Sequence, residues 1–326
     1  MSDERWPENV DKILGGDQCI ALGHVTPAQG VVLTPVTNFA QRDRLAGTVT
    51  VNSSVGMWKK LQALQRNPRV ALAFHTRTHG FSARAEYVLV QGNARLSSLS
   101  ETDAWLQTIG ENWERFSGES SDVGLLWERW LRAYHWRVNI EIAVERVLVW
   151  PDLACRGAYE VYGAPLPPEP PAVQRPPAKG TGPRVDHVRA AKRAQGLADV
   201  LLGWTDADGY PTIIPVQITG ADERGILLSS PAGLVPPGGR RAGLLAHEFS
   251  RHVVGQHQRK HTGWLEVHPA ERDKDATREL VYAPHTQSGY RLPASRLLFK
   301  LAGGFVSHRG LCAARRAGFL EDSSQR

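Results

Sequence analysis

The chain has 326 residues, 41% hydrophobic and 22% charged, the balance of a globular protein rather than a disordered or fibrous one. No apolar run approaches the roughly 20 residues that cross a bilayer, and Met1-Ser2-Asp3-Glu4-Arg5-Trp6-Pro7 has no apolar signal core, so the expected location is cytoplasmic with no membrane partner. A formal charge of +6 and a pI near 9.4 suit an anionic cofactor, an acidic partner or nucleic acid; because no basic run interleaves with aromatics, nucleic acid is not expected.

Residues 1–17 are polar and charged and read as an arm or short helix. Residues 18–26 and 31–39 read as a first hairpin, and Arg42 to Arg44 as a turn. Thr48, Val49, Thr50 and Val51 are mostly β-branched and read as a strand. Asn52 to Gly56 is small and polar, a turn. From Met57 to Gln65 the spacing is helical, with Trp58, Leu61 and Leu64 on one face and Lys59, Lys60 and Arg66 towards water or a ligand. Ser53 or Ser54 suits the N-cap. The same helix start, with free N–H donors, two hydroxyls and two lysines, also suits an anion. On pattern alone, the stretch is either an ordinary strand–turn–helix with a solvated basic face or a phosphate site. Asn67-Pro68 ends the helix, and Val70 to Phe74 begins another strand.

This segment resembles the nucleotide-cofactor loop of the pyridoxamine 5'-phosphate oxidase-like split β-barrels. In that family a strand, a Ser/Thr-rich turn and a Lys precede a helix that ends in a phrase like Leu-Arg-Arg-Asn-Pro-Arg-Val. Here the phrase is Leu64-Gln65-Arg66-Asn67-Pro68-Arg69-Val70, and Lys60 falls at the family's helix lysine. The resemblance implies that Ser53, Ser54, Lys59 and Lys60 hold a phosphate and that the backbone of Thr50, Val51 and Asn52 lines the ring. Trp58 either stacks on the cofactor or packs in the core. Family members commonly form dimers with the cofactor in a groove between two barrels.

Residues 75–83 read as a loop and 87–96 as a strand, with Gly92 at a bulge or a close approach. Residues 101–137 read as helix broken near Ser117-Gly118, their tryptophans as packing residues. Val138 to Trp150 alternates like a closing barrel strand. Residues 164–185 are proline-rich, an extended spacer on the order of 60 Å long. The second half then restarts: a basic amphipathic helix over 186–195, strands over 198–205 and 211–219, and a turn at Asp208-Gly209. Pro35-Val36 and Pro215-Val216 occupy matching strands, and the segment from Gly225 parallels the segment from Gly47. The halves read as a divergent duplication.

The domains expected are therefore residues 1–163, an N-terminal split barrel with the cofactor loop; 164–185, a linker; and 186–326, a degenerate second barrel. The fold class expected is mainly β with flanking helices, two fused split β-barrels in a pseudo-dimer arrangement. Only the first half keeps the loop lysines, so one cofactor groove is expected. The second half has Pro231 to Gly239 at the matching place, with Arg240 and Arg241 restoring charge nearby. Gln256, Gln258, Arg259 or Trp264 are placed to reach the first half's groove. Residues 282–290 read as a loop and 293–319 as a closing helix.

Cys19, Cys155 and Cys312 read as small buried apolar residues. His247, His252, His257, His261 and His268 form a cluster without a Cys partner or a helical His-x-x-x-His. They read as polar or substrate-facing strand residues, and no metal ligand is assigned. Gly-x-Ser-x-Gly, the P-loop and the dinucleotide fingerprint are all absent from the sequence. The oxidase's own arginine strand motif and terminal Arg and His have no match here. The resemblance thus implies a looser relative, a flavin- or deazaflavin-dependent oxidoreductase binding FMN or coenzyme F420 and acting on a small-molecule substrate, with catalytic residues unassigned and a homodimer allowed. The alternative is a non-catalytic cofactor- or haem-binding protein.

Overall fold

A computed structural model describes residues 4–97, 104–118, 125–268 and 279–322. The first half opens with helix α1 (Glu8–Leu14) and strands β1 (Cys19–Val25), β2 (Val31–Thr37), β3 (Gln41–Asp43) and β4 (Thr48–Ser54). A 3-10 turn (Val55–Met57) leads into α2 (Trp58–Arg66), β5 (Arg69–Phe74), β6 (Tyr87–Leu96), α3 (Ala104–Ser117), α4 (Leu125–His135), β7 (Arg137–Trp150) and β8 (Glu160–Gly163). The second half holds α5 (His187–Gln195), β9 (Asp199–Thr205), β10 (Pro211–Pro215), β11 (Gln217–Asp222), β12 (Gly225–Ser229), β13 (Gly238–Ser250), β14 (Val254–Val267), β15 (Leu280–Arg291), α6 (Arg296–Arg316) and α7 (Phe319–Asp322). Among the described residues no helix is long and apolar enough to cross a membrane.

The strands form two sheets with the same order. The first runs β2-β1-β5-β6-β7-β4-β3, with β8 beside β7, and the second runs β10-β9-β13-β14-β15-β12-β11. Each curls around its own core. Ile20, Leu22, Val70, Leu72, Val88 and Val90 fill the first, and Leu202, Trp204, Ile214, Leu244 and Tyr282 fill the second. A third core lies between the barrels, built from Ala21, Leu33, Ala71, Tyr87 and Leu89 of one and Leu201, Ile213 and Leu245 of the other. Strand β1 is therefore buried at every residue: one face looks into its barrel and the other at the second barrel. The fold is two fused split β-barrels arranged as a pseudo-dimer.

Reciprocal contacts set the pairing of the barrels. Gly23 lies opposite Leu33 in the β1–β2 ladder, and Gly203 lies opposite Ile213 in the β9–β10 ladder. A Cβ on Gly23 would fall 2.9 Å from Ile213 Cδ1, and one on Gly203 would fall 2.9 Å from Leu33 Cδ2. Each glycine receives the other barrel's large residue, the self-complementary pattern of a two-fold interface. Buried hydrogen bonds fix the register: Tyr87 Oη donates to the Ile213 carbonyl at 2.6 Å, and Gln91 Nε2 to the Pro211 carbonyl at 2.8 Å. On β13, a Cβ at Gly243 would overlap the Val31 carbonyl oxygen. Backbone cannot rotate aside as a side-chain tip can, so Gly243→Ala is expected to lower stability by about 1–3 kcal/mol, more than Gly203→Ala does. Chemical denaturation of the two variants checks the ranking.

The proline-rich stretch has no helix or strand and runs across both barrels. Gln174 bridges them: its Nε2 donates to the Gln29 carbonyl at 3.0 Å, and its Oε1 accepts from the Arg241 amide at 3.0 Å. Gly92 does mark a bulge, with the β6–β7 register shifting between Gln91 and Gly92.

The short helix expected near the start is α1, and Trp6, Val10, Ile13 and Leu14 are buried in the first core. Other expectations change. Asn52, Ser53 and Ser54 belong to strand β4 and not to a turn. Arg42 sits in the short strand β3 and donates from Nη2 to Asp11 at 2.6 Å. Residues 282–290 are not a loop but the middle of β15, paired with β14 along its length. Pro284 misled the reading. It lies where the β14–β15 register shifts between Thr262 and Gly263, so its missing N–H interrupts no regular ladder.

Candidate functional site

A cavity of about 110 Å³ opens where β2, β4, the 3-10 turn, α2 and α4 of the first barrel meet β14, β15 and α6. Of the residues singled out from sequence, Asn52, Ser53, Ser54 and Lys60 line it. The others do not. Val51 is buried in the barrel core, and Thr50 stands in the ladder between Gln41 and Glu141. Lys59 is exposed, its Nζ 5.8 Å from the Trp58 ring. Trp58 packs towards Phe319, with ring centroids 6.0 Å apart, and against the core.

Residues that the sequence reading missed complete the wall. Arg137 opens β7 directly opposite Ser54 in the β4–β7 ladder. Its Nη1 donates to Asn52 Oδ1 at 2.6 Å, and its guanidinium lies 4.5 Å from the centre of the Tyr134 ring. The signal for it was the pairing of β4 with the closing strand, which a single sequence does not state. Gln256 and Tyr290 come from the second barrel, and the Tyr290 hydroxyl donates to Gln256 Oε1 at 3.0 Å. Gln256 thus reaches the cavity, whereas Gln258, Arg259 and Trp264 do not line it.

The wall is electropositive. It carries no Asp or Glu, and Lys60 and Lys260 form no ion pair among the described residues. Burial pulls the Lys60 ammonium down to about 7, helped by the charges of Lys260 and Arg137. Burial likewise pulls His24 down to about 4, helped by Lys60 and Lys260, and its Nδ1 is buried without a hydrogen-bond partner. Such a pocket favours an anion, whose charge would restore the lysine's own.

The two serines differ. Ser54 Oγ donates to the Ala133 carbonyl at 2.9 Å and accepts from the Gly56 amide at 3.2 Å, capping the 3-10 turn. Ser53 Oγ makes only a 3.4 Å contact to the Ser54 carbonyl, so it is the hydroxyl available to a ligand. The helix start is also roofed. A Cβ on Gly56 would fall 2.8 Å from the Ser307 carbonyl oxygen of α6, and one on Gly310 would overlap the Gly56 carbonyl. Helix α6 therefore crosses the turn at glycine-to-glycine distance, and Phe299 and Val306 project into the cavity. A wider cleft of about 600 Å³ lies on the far side of Leu292, which lines both spaces.

At the matching place in the second barrel, the chain passes from β12 to β13 without a helix. Arg240 and Arg241 do not recreate a basic groove there. Arg240 is fully buried and donates to the Pro237 carbonyl at 2.6 Å, and Arg241 lies against Trp264 and donates from Nη1 to Gln174 at 3.2 Å. The histidine cluster also divides. The β13–β14 register pairs His247 with Gln258 and Glu248 with His257, so His257 and His261 project from the face opposite to His247. His252 sits in a turn at φ 61, its Nδ1 2.9 Å from Arg296 Nη2.

No protein-family model matches the sequence, and no curated protein does. Solved structures do. The matches include an F420 reductase, at 14% identity and TM-score 0.32 over 44% of this chain and 98% of that one. They include a pyridoxamine 5'-phosphate oxidase-related, FMN-binding protein from Nostoc punctiforme, at 9% identity and TM-score 0.28 over 61% and 88%. An FAD- and haem-binding protein from Mycobacterium smegmatis matches at 16% identity and TM-score 0.30 over 53% and 93%. The chain resembles the pyridoxamine 5'-phosphate oxidase-like split barrels. In this split-barrel chain the basic cavity lies between two barrels of one polypeptide, beside the loop whose sequence carries the resemblance.

Proposed function

We propose that the cavity holds the anionic end of a flavin-type cofactor, FMN or the deazaflavin coenzyme F420, and that the chain is an oxidoreductase acting on a small molecule. The observation that supports this is the meeting of Lys60 and Arg137 at a space with no carboxylate in its wall, with the charge of Lys260 close enough to act on Lys60. The donor set fits a phosphate: the weakly held Ser53 hydroxyl, the Lys60 ammonium and the Arg137 guanidinium. The space of about 110 Å³ fits that end alone, since pockets for whole ligands run to roughly 300–1,000 Å³. Room for a ring requires Phe299 and Val306 of α6 to swing aside.

Such a cofactor, when bound, supplies hydride transfer. The chain's own residues bind and orient. Lys60 and Arg137 hold the charge, Asn52 fixes the guanidinium, and Gln256 and Tyr290 present an amide and a hydroxyl from the second barrel. Burial raises the Tyr290 hydroxyl far above neutrality, so it stays protonated and can donate. The roof of α6 favours a second reading, a cofactor-holding protein without turnover, because it leaves no space for a substrate beside the turn. Absorbance spectra of the purified protein with FMN, F420 or haem added separate these from a protein that binds none. Reduction of an acceptor panel with the bound cofactor then separates the enzyme from the holder.

The lysine predicts a pH profile. In the free protein Lys60 titrates near 7, and a bound anion raises that value, so binding takes up a proton above it. Affinity for FMN is expected to be highest just below about pH 7, to weaken again below about pH 6 as the phosphate takes up its second proton, and to fall by up to about tenfold per unit above about pH 7, until the pKa of the bound state is passed. Without ligand, stability should rise with pH from about 7 towards the ordinary lysine range, because the unfolded chain keeps the proton longer. Fluorescence titrations and thermal melts across that range measure the two slopes.

A further inference from the structure

A cluster outside that cavity joins the barrels. His75 directly follows β5 in the first barrel. Asp199 opens β9 and His247 lies on β13, and the β9–β13 register sets them directly opposite each other, so both project from one face. His75 meets that face. The two Nε2 atoms of His75 and His247 are 2.7 Å apart, and the Asp199 carboxylate lies within 4.8 Å of both. The histidines are buried and Asp199 is half-buried.

The hydrogen bonding leaves a place for a cation. His75 Nδ1 lies 3.0 Å from the Ala73 carbonyl. A carbonyl only accepts, so Nδ1 carries the hydrogen, and Nε2 of the neutral ring presents a bare lone pair to His247. Two nitrogens this close need a positive centre between them, either a proton on His247 or a metal ion. Asp199 adds a negative charge that forms no ion pair with Lys or Arg among the described residues, and Thr76 lies beside it. Ligating histidines generally donate their outer N–H to a carbonyl or carboxylate, which fixes the tautomer. The Ala73 carbonyl does this for His75.

We propose that His75 Nε2, His247 Nε2 and the Asp199 carboxylate bind one divalent transition-metal ion of the zinc class, which staples the two barrels together. Two imidazoles and one carboxylate suit zinc and its neighbours rather than calcium or magnesium, which take oxygen ligands. At Zn–N distances of roughly 2.0–2.1 Å, a tetrahedral ion holds its nitrogens about 3.3 Å apart. Loading therefore widens the 2.7 Å gap by roughly 0.6 Å, a small side-chain rotation. The proton on His247 Nε2 relocates to Nδ1 of the same ring, and both imidazoles stay neutral. A cavity of about 10 Å³ beside His247 has room for about one water as a fourth ligand. It shares Glu248 and Phe249 with the 600 Å³ cleft, which gives the ion a way in.

The test is titration of chelator-treated, full-length protein with Zn²⁺, and with Co²⁺ as a visible probe. One equivalent should bind, raise Tm and give Co²⁺ absorption of a nitrogen-ligated site. His75→Gln and His247→Gln should each weaken binding by at least about 100-fold and Asp199→Asn by about 10-fold. His308→Gln, which removes the exposed histidine beside Cys312, should change nothing. Failure of the unmodified protein to bind overturns the proposal. So does binding that survives both histidine changes or is lost with His308. If a histidine variant does not fold, Asp199→Asn decides: a metal-induced rise in Tm equal to that of the unmodified protein overturns the site.

Discussion

Arg146→Ala is expected to cost the fold about 3 kcal/mol and to lower Tm by on the order of 6 °C. Arg146 lies on β7 of the first barrel and is 3% exposed, while Asp208, its carboxylate partner, sits in the β9–β10 turn of the second. The guanidinium also donates from Nε to Gln91 Oε1 at 2.6 Å and from Nη1 to the Pro165 carbonyl at 3.1 Å, and it lies 5.3 Å from the Tyr210 ring centre. One side chain thus ties together both barrels and the proline-rich strap. Its removal strands Gln91 and Asp208 and opens a void at the interface. Asp208 is 26% exposed and regains water, which holds the loss near the lower end of the roughly 3–5 kcal/mol typical of a broken buried pair. Asp208→Asn, which keeps the shape and removes the charge, should cost less. Equal effects of Arg146→Ala and of a surface control such as Arg156→Ala would contradict this account.

Lys60→Ala and Arg137→Ala are each expected to weaken FMN or F420 binding by about 10- to 100-fold, because each removes a charge-assisted hydrogen bond worth roughly 1.5–3 kcal/mol. Lys59→Ala should leave affinity unchanged. The two lysines adjoin in sequence, but only Lys60 lines the cavity, and Lys59 is exposed. Ser53→Ala should weaken binding, whereas Ser54→Ala should mainly loosen the turn, since the Ser54 hydroxyl already holds the Ala133 carbonyl and the Gly56 amide. Fluorescence quenching of the added flavin measures all five. Equal loss from Lys59→Ala and Lys60→Ala would mean diffuse surface charge and not this cavity. Tm measured on each variant separates a lost ligand contact from a lost fold.

Local chemistry made much of the fold legible. β-Branched runs, the Asp208-Gly209 turn and the Asn67-Pro68 stop each specify a piece of backbone through nearest neighbours. The expected strands at the start of each half lie where the structure has them, as do α2, α5 and α6 within a few residues. Near-continuous apolar strands such as β1 and β5 signal burial on both faces. They do not say that one face belongs to another barrel, because Ala21 and Ala73 look like any small core residue until Leu201 and Ile213 are placed against them.

The candidate site divides along the same line. Ser53, Ser54 and Lys60 announced themselves because turn, cap and helix lie together in sequence. Arg137, Gln256, Tyr290 and the roof of α6 did not, since strand pairing and chain return bring them there from far along the polypeptide. The histidines show it most sharply. Five lay close in sequence, yet the strand period of two sent His247 to one face and His257 and His261 to the other. The partners that His247 meets, His75 and Asp199, come from distant strands. Sequence by itself determined the strands at the start of each half, the Asn67-Pro68 helix stop and the basic loop, because these depend on residues within a few positions of one another. Which side chains converge was decided only by the tertiary structure, since that depends on register and on how two curled sheets pack.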